Sequence, residues 1–174
     1  GILQRARPGV IQNGTWRCGI VHRLDRQTSG VLLVAKTLEA QEKLLDDFKE
    51  RRVRKIYRAL VRGTPTQRDA RVQAPIGRKP GHRRVLVTPF GKAAETSFSV
   101  VDSCAVASIV EARPLTGRTH QIRAHLALIG HPVAGDVEFD RQIPGRLWPA
   151  RMLLHAYQIE LAHPRTCRAV KFQA

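Results

Sequence analysis

The sequence predicts an α+β domain with more strand than helix. Two observations carry that reading. Short apolar runs bounded by Gly, Pro and polar residues recur along the chain, and only two segments show helical periodicity. A length of 174 residues with 43% apolar residues fits one domain, residues 1–174. A chain of that size buries about 70% of its unfolded surface without a disulfide or metal staple.

Residues 1–20 show no period and read as a loop or chain start. Residues 30–36 (GVLLVAK) form an apolar run between turn residues and read as a buried strand. Thr37 follows as an N-cap. Glu39 and Glu42 suit the positive end of a helix, and Lys49, Arg51 and Arg52 its negative end. Leu38, Leu44, Leu45 and Phe48 supply its apolar stripe. Residues 55–61 (KIYRALV) read as a strand, with Tyr57, Ala59 and Val61 on one face and Ile56, Arg58 and Leu60 on the other. Residues 63–81 are rich in Gly, Pro and Arg and read mostly as loop. Residues 83–88, 95–101 and 107–112 read as three strands, antiparallel neighbours of one another. Thr119 opens a helix that stops near Gly130, with Ile122, Leu126 and Ile129 facing the core. Residues 136–151 are irregular, residues 153–161 read as a strand, and residues 171–173 begin another.

Charge supplies the first functional clue. Lys and Arg total 30 against 14 Asp and Glu, a formal net charge of +16. Residues 49–92 hold 14 of those basic residues and only two acids, Glu50 and Asp69. Such a one-signed stretch points to a polyanion, which makes nucleic acid the expected partner. The competing reading is an Arg-rich composition with no partner. Aromatic residues are only 5%, which argues against a single-strand binder built on stacking platforms. Apolar runs are far too short to span a bilayer, and no signal peptide is recognised. Cys18, Cys104 and Cys167 stand far apart without a Cys-x-x-Cys pair. That disfavours structural zinc and suits a reducing cytoplasm.

Two strings are candidates for chemistry. In the first, His22-Arg23-Leu24-Asp25-Arg26-Gln27-Thr28-Ser29-Gly30, one acid sits between guanidinium groups. It reads as a nucleophile or base, or as an ion pair that only orders a loop. In the second, residues 117–125 (GRTHQIRAH), helical spacing puts His120 and Arg123 on one side of the first turn. That reads as an anion site at a helix start or as a basic solvent face. No His-Glu-x-x-His, Walker-type loop or Gly-x-Ser-x-Gly elbow occurs, so neither a metal nor a nucleotide cofactor is expected.

Residues 19–36 (GIVHRLDRQTSGVLLVAK) resemble the signature of the RluA-type pseudouridine synthases. Residues 55–63, 116–136 (TGRTHQIRAHLALIGHPVAGD) and 151–164 (RMLLHAYQIELAHP) resemble that family's later motifs, in the same order. The resemblance implies a mixed, mainly antiparallel sheet with a few flanking helices and a central RNA-binding cleft. It implies isomerisation of uridine to pseudouridine in large-subunit ribosomal RNA or tRNA, by a cytoplasmic monomer without cofactor or metal. It places the catalytic aspartate at Asp25, the active-site tyrosine at Tyr57 and the basic partner at Arg123. Arg23 falls where the family pushes a side chain into the RNA stack, and Leu154 where an apolar residue packs under the base. Arg26, Arg118, His120, Arg83 and Arg84 complete the residues assigned to RNA. The family's early Lys-Pro-x-Gly motif and its accessory RNA-binding domain have no counterpart here, and the chain stops soon after Lys171. An N-terminally truncated catalytic domain is therefore expected. The alternatives are a non-catalytic RNA-binding module or assembly factor keeping the fold, and a metal-dependent nuclease, which the scarcity of clustered acids opposes.

Overall fold

The computed structural model describes residues 19–78, 84–140 and 151–174. Its elements in chain order are β1 (Ser29–Gly30), α1 (Leu38–Lys49), β2 (Arg54–Arg62), β3 (Asp69–Gln73), β4 (Ile76–Arg78), β5 (Val85–Val87), β6 (Glu95–Ser103), β7 (Ala107–Pro114), α2 (Gln121–Leu128), β8 (Leu154–Ala162) and β9 (Ala169–Gln173). The main sheet runs β1-β8-β2-β7-β6-β3, with β9 also on β8, and β4 pairs with β5 in a separate two-stranded sheet. Only β1 joins in parallel, so the sheet is mixed and mainly antiparallel, as expected.

β2 lies between β7 and β8 and organises the core. Its alternation holds: Ala59 and Val61 are buried and Tyr57 packs against them, together with Phe98, Val110, Ala112 and Leu154. Ile122 and Leu126 of α2 complete this cluster, and Ile129 packs at its margin. A second cluster joins Leu44 of α1 to Val21, Ala35, Val53, Ile159 and Leu161. Thr37 caps α1, accepting the Ala40 N–H at 3.2 Å. No helix among the described residues is long and apolar enough to cross a membrane.

The structure corrects four local expectations. The run at residues 30–36 is not a continuous buried strand. β1 is two residues long, Val34 makes one isolated bridge to Ile20, and Leu32 is exposed. The positive φ of Gly30 ends the ladder there. Leu38 and Leu45 are exposed, and the inward side of α1 is Gln41, Leu44 and Asp47. The stretch read as loop contains β3 and β4. β3 is a polar edge strand on which only Val72 is buried, so its alternation is faint in sequence. β5 pairs with β4 rather than with β6.

Candidate active site

Asp25 sits in the turn before β1. The Thr28 N–H donates to the Asp25 carbonyl at 3.0 Å, closing the turn. Ser29 Oγ then lies 2.8 Å from His155 Nδ1 on β8. Gly30, at φ +111, presses its backbone on β8; a Cβ there would stand 2.2 Å from the Ala156 carbonyl oxygen. The Thr-Ser-Gly that follows Asp25 by three residues thus seats the turn against the sheet. Behind the turn, the Leu33 N–H donates to His22 Nε2 at 2.9 Å, which fixes the Nδ1-protonated tautomer in the neutral ring. Burial and the charge of Lys55 hold His22 down at about 4. Its ring stacks on Phe48, with centroids 5.0 Å apart.

Arg123 arrives from α2 and is only 8% exposed. Its Nε and Nη2 form a fork on Asp136, at 2.6 and 2.8 Å. Nη2 also donates to Glu138 Oε2 at 2.9 Å, and Nη1 reaches Asp25 Oδ2 at 3.4 Å. Burial works against this charge, but Asp136, Asp25 and Glu138 outweigh it and raise the Arg123 pKa. His120 caps α2 in the left-handed region, at φ 55. That conformation costs a residue with a Cβ about 1–2 kcal/mol. It aims the ring between Glu138 Oε2, 3.3 Å from Nδ1, and Asp25 Oδ1, 4.0 Å from Nε2. Phe139 closes the back of the network, its ring centroid 5.0 Å from the Arg123 guanidinium.

α2 itself is held by a buried polar chain. Gln121 donates to the Glu95 carbonyl at 2.8 Å and to Thr96 Oγ1 at 3.0 Å. Its Oε1 accepts from Thr116 Oγ1 at 2.7 Å and from the Arg118 N–H at 2.9 Å. His125 bridges Thr96 Oγ1 and the Ala74 carbonyl at 3.0 and 2.9 Å, and its burial lowers its pKa. These bonds satisfy polar groups that would otherwise cost stability, and they fix the helix that carries Arg123.

Tyr57 enters from β2 beside a register shift. Pairing steps from Ile56 with Gln158 to Tyr57 with Ala156, leaving Tyr157 of β8 as the extra residue. Burial and the Asp25 charge push the Tyr57 phenol up to about 12.

These elements enclose a cleft of about 590 Å³, a size that accepts a nucleoside. Arg23, Lys49, Arg51, Lys55, Arg118 and Arg123 line it, and Asp25 is its one carboxylate. Of the residues singled out in the sequence, Asp25, Tyr57, Arg123, Arg23, Arg118, His120 and Leu154 meet at this cleft. Arg26 is exposed on the same loop but does not line the cleft. Arg84 lies outside it, 5.3 Å above the far-side Phe139 ring and 3.9 Å from Glu138. Arg83 lies outside the described residues. The basic solvent face considered for α2 is excluded at Arg123 by its burial. Sequence reasoning passed over Asp136, Glu138 and Phe139; it included His22 only in the first candidate string and Lys55 only in the basic stretch 49–92, with no individual role for either. The signal for Asp136 was the acid closing the third motif string. Among the described residues, no group of three or more His, Cys, Asp or Glu is placed to hold a metal ion.

Comparison with known proteins places the chain in a family. The family model for RNA pseudouridylate synthase matches residues 6–128. An RNA pseudouridine synthase of Chloroflexus aurantiacus is 43% identical over 168 residues, covering 96% of this chain and 52% of that protein. Ribosomal large subunit pseudouridine synthase D of Nitrosomonas europaea is 46% identical over 159 residues, covering 86% of this chain and 45% of that protein. The chain thus spans about half the length of these relatives. The solved structure of human RNA pseudouridylate synthase domain containing 1 superposes with a TM-score of 0.78 at 33% identity, covering 89% of this chain and 67% of that one. With the family model matching most of the chain and the fold superposing on that solved structure, the chain belongs to the RNA pseudouridylate synthase family.

Proposed function

We propose that this chain isomerises uridine to pseudouridine in large-subunit ribosomal RNA, as a cytoplasmic monomer needing no metal or cofactor. One observation carries the reading most: a cationic cleft of nucleoside size holds a single carboxylate, Asp25, and a buried arginine touches it. In the reaction the bond from C1′ to N1 breaks, the uracil turns, and a bond from C1′ to C5 forms. N1 gains a proton and C5 loses one, so no atom or electron is supplied from outside. Asp25 serves by attack on C1′ or by taking the C2′ proton, and Arg123 keeps its carboxylate in place. Tyr57 and Leu154 bracket the base. The Tyr57 phenol stays protonated at neutral pH, so it acts as a packing surface and hydrogen-bond donor rather than as a base. Drawing the uridine out of its stack costs a few kcal/mol, and the exposed Arg23 at the cleft is placed to fill the gap.

The ribosomal target rests on the name of the Nitrosomonas relative. The test is incubation of the protein with unmodified ribosomal RNA and tRNA, followed by site mapping of pseudouridine. New sites in ribosomal RNA support the reading. Bound RNA without modification supports the assembly-factor alternative.

A further inference from the structure

One wall of the cleft is made by the end of α1 and the start of β2, and it carries Lys49, Arg51 and Lys55. Lys55 is half-buried, yet none of the ion pairs or hydrogen bonds among the described residues engages its ammonium. Its titratable neighbour offers no compensation, because His22 is neutral and the Lys55 charge is one of the reasons. Burial also holds the Lys55 pKa below its ordinary value. A partly desolvated cation without a counter-ion costs free energy in the free protein. Packing of the aliphatic stem alone would leave the ammonium to reach bulk water. Lys55 instead lines the cleft wall, as does Tyr57, the ring proposed to lie against the base.

Strand geometry sets the relation between the two. Lys55 and Tyr57 are two residues apart on β2, so their side chains leave the same face about 6.6 Å from one another. An ammonium is a compact point charge with three donors, suited to a phosphate. Apart from Arg123, which is paired with Asp136 and Glu138, five Lys and Arg side chains line the cleft against one carboxylate, so it favours a polyanion over an isolated acid. We propose that Lys55 is a phosphate-binding residue, and that it neutralises a backbone phosphate adjoining the nucleotide that lies against Tyr57. This inference rests on the reading of RNA as the substrate. It gives the missing counter-ion a source: the ligand brings it.

The test is binding of single-stranded oligouridylate over a range of salt concentrations, with Lys55→Met and Lys55→Arg beside the parent. Lys55→Met is expected to flatten the fall of log K with log salt by about 0.7, the share of one phosphate contact. Lys55→Arg is expected to keep the parent slope. In pseudouridine formation, the larger share of the Lys55→Met loss is expected in KM. Removal of the uncompensated charge is expected to leave the melting temperature of the free protein unchanged or raised. An unchanged slope overturns the assignment. So does a fall in kcat with KM and slope untouched, or a fall in melting temperature, which would make Lys55 a structural residue. If the slope depends on Lys55 but no pseudouridine forms, the enzymatic reading fails and this assignment stands. Pseudouridine formation with a slope independent of Lys55 does the reverse.

Discussion

Asp136 accepts two hydrogen bonds from Arg123, at 2.6 and 2.8 Å, and is 1% exposed. The contact from Arg123 to Asp25 is longer, at 3.4 Å. The guanidinium is therefore positioned from behind, and Asp25 meets a donor whose place is already set.

Asp136→Asn is the variant that tests this. The amide has nearly the same shape but leaves the buried guanidinium short of one countercharge. Breaking a buried pair typically costs about 3–5 kcal/mol of stability. The melting temperature is expected to fall. At a temperature where the variant is still folded, kcat is expected to drop by about tenfold or more, since small misplacements at a reacting centre are costly. RNA affinity is expected to hold. Parent-like kcat would show that Arg123 is placed by other contacts.

The neutral histidines predict a pH dependence of stability. Unfolded His22 takes up a proton near pH 6.5, whereas the folded residue resists until about pH 4. The unfolded state binds more protons in that window, so stability is lost as pH falls through it. His125, lowered by burial, acts in the same direction. The His22 contribution is at most about 3 kcal/mol. Urea midpoints measured from pH 7 to 4.5 are expected to decline, and His22→Gln to flatten the decline.

A phenol held at about 12 predicts a flat rate profile. From pH 7 to 9.5 kcat is expected to show no tenfold-per-unit rise, and Tyr57→Phe is expected to cost about tenfold, the share of one hydrogen bond. A rate that climbs with pH in the parent and not in Tyr57→Phe would identify the phenolate as the base.

Arg23 and Arg84 are expected to differ in salt dependence. Arg23 is exposed at the cleft with no acidic partner among the described residues, while Arg84 rests on Phe139 near Glu138. Arg23→Ala is expected to flatten the log K against log salt plot by about 0.7 on single-stranded RNA. Arg84→Ala is expected to change it less. The reverse order would move the RNA track to the far side of Phe139.

Much of this was legible in the chain because it is local. The Thr37 cap, the alternating face of Tyr57, Ala59 and Val61, and the inward row of Ile122 and Leu126 each follow from short spacings. Asp25 and Arg123 stood out through motif strings, although 98 residues separate them. What stayed hidden depends on how the chain returns on itself. Asp136 and Glu138 reach Arg123 only because the segment after α2 folds back beneath it, and no helix or strand period marks that. Edge strand β3 stayed hidden because its ladder needs only one buried side chain. That Lys55 makes no ion pair among the described residues depends on where the fold places the acids, which no local spacing reveals.

The most direct measurement compares Asp25→Asn with the parent in single-turnover pseudouridine formation and in equilibrium RNA binding. The side chain keeps its shape and loses its charge in a cleft whose Lys and Arg residues supply the other formal charges. Turnover is expected to fall by about 10⁴ or more, the usual consequence of removing one essential group. RNA affinity is expected to stay level or tighten, because one negative charge facing a polyanion is gone. Retention of more than about a hundredth of the parent rate would contradict the account, because a group that takes the bond or the proton cannot be removed so cheaply.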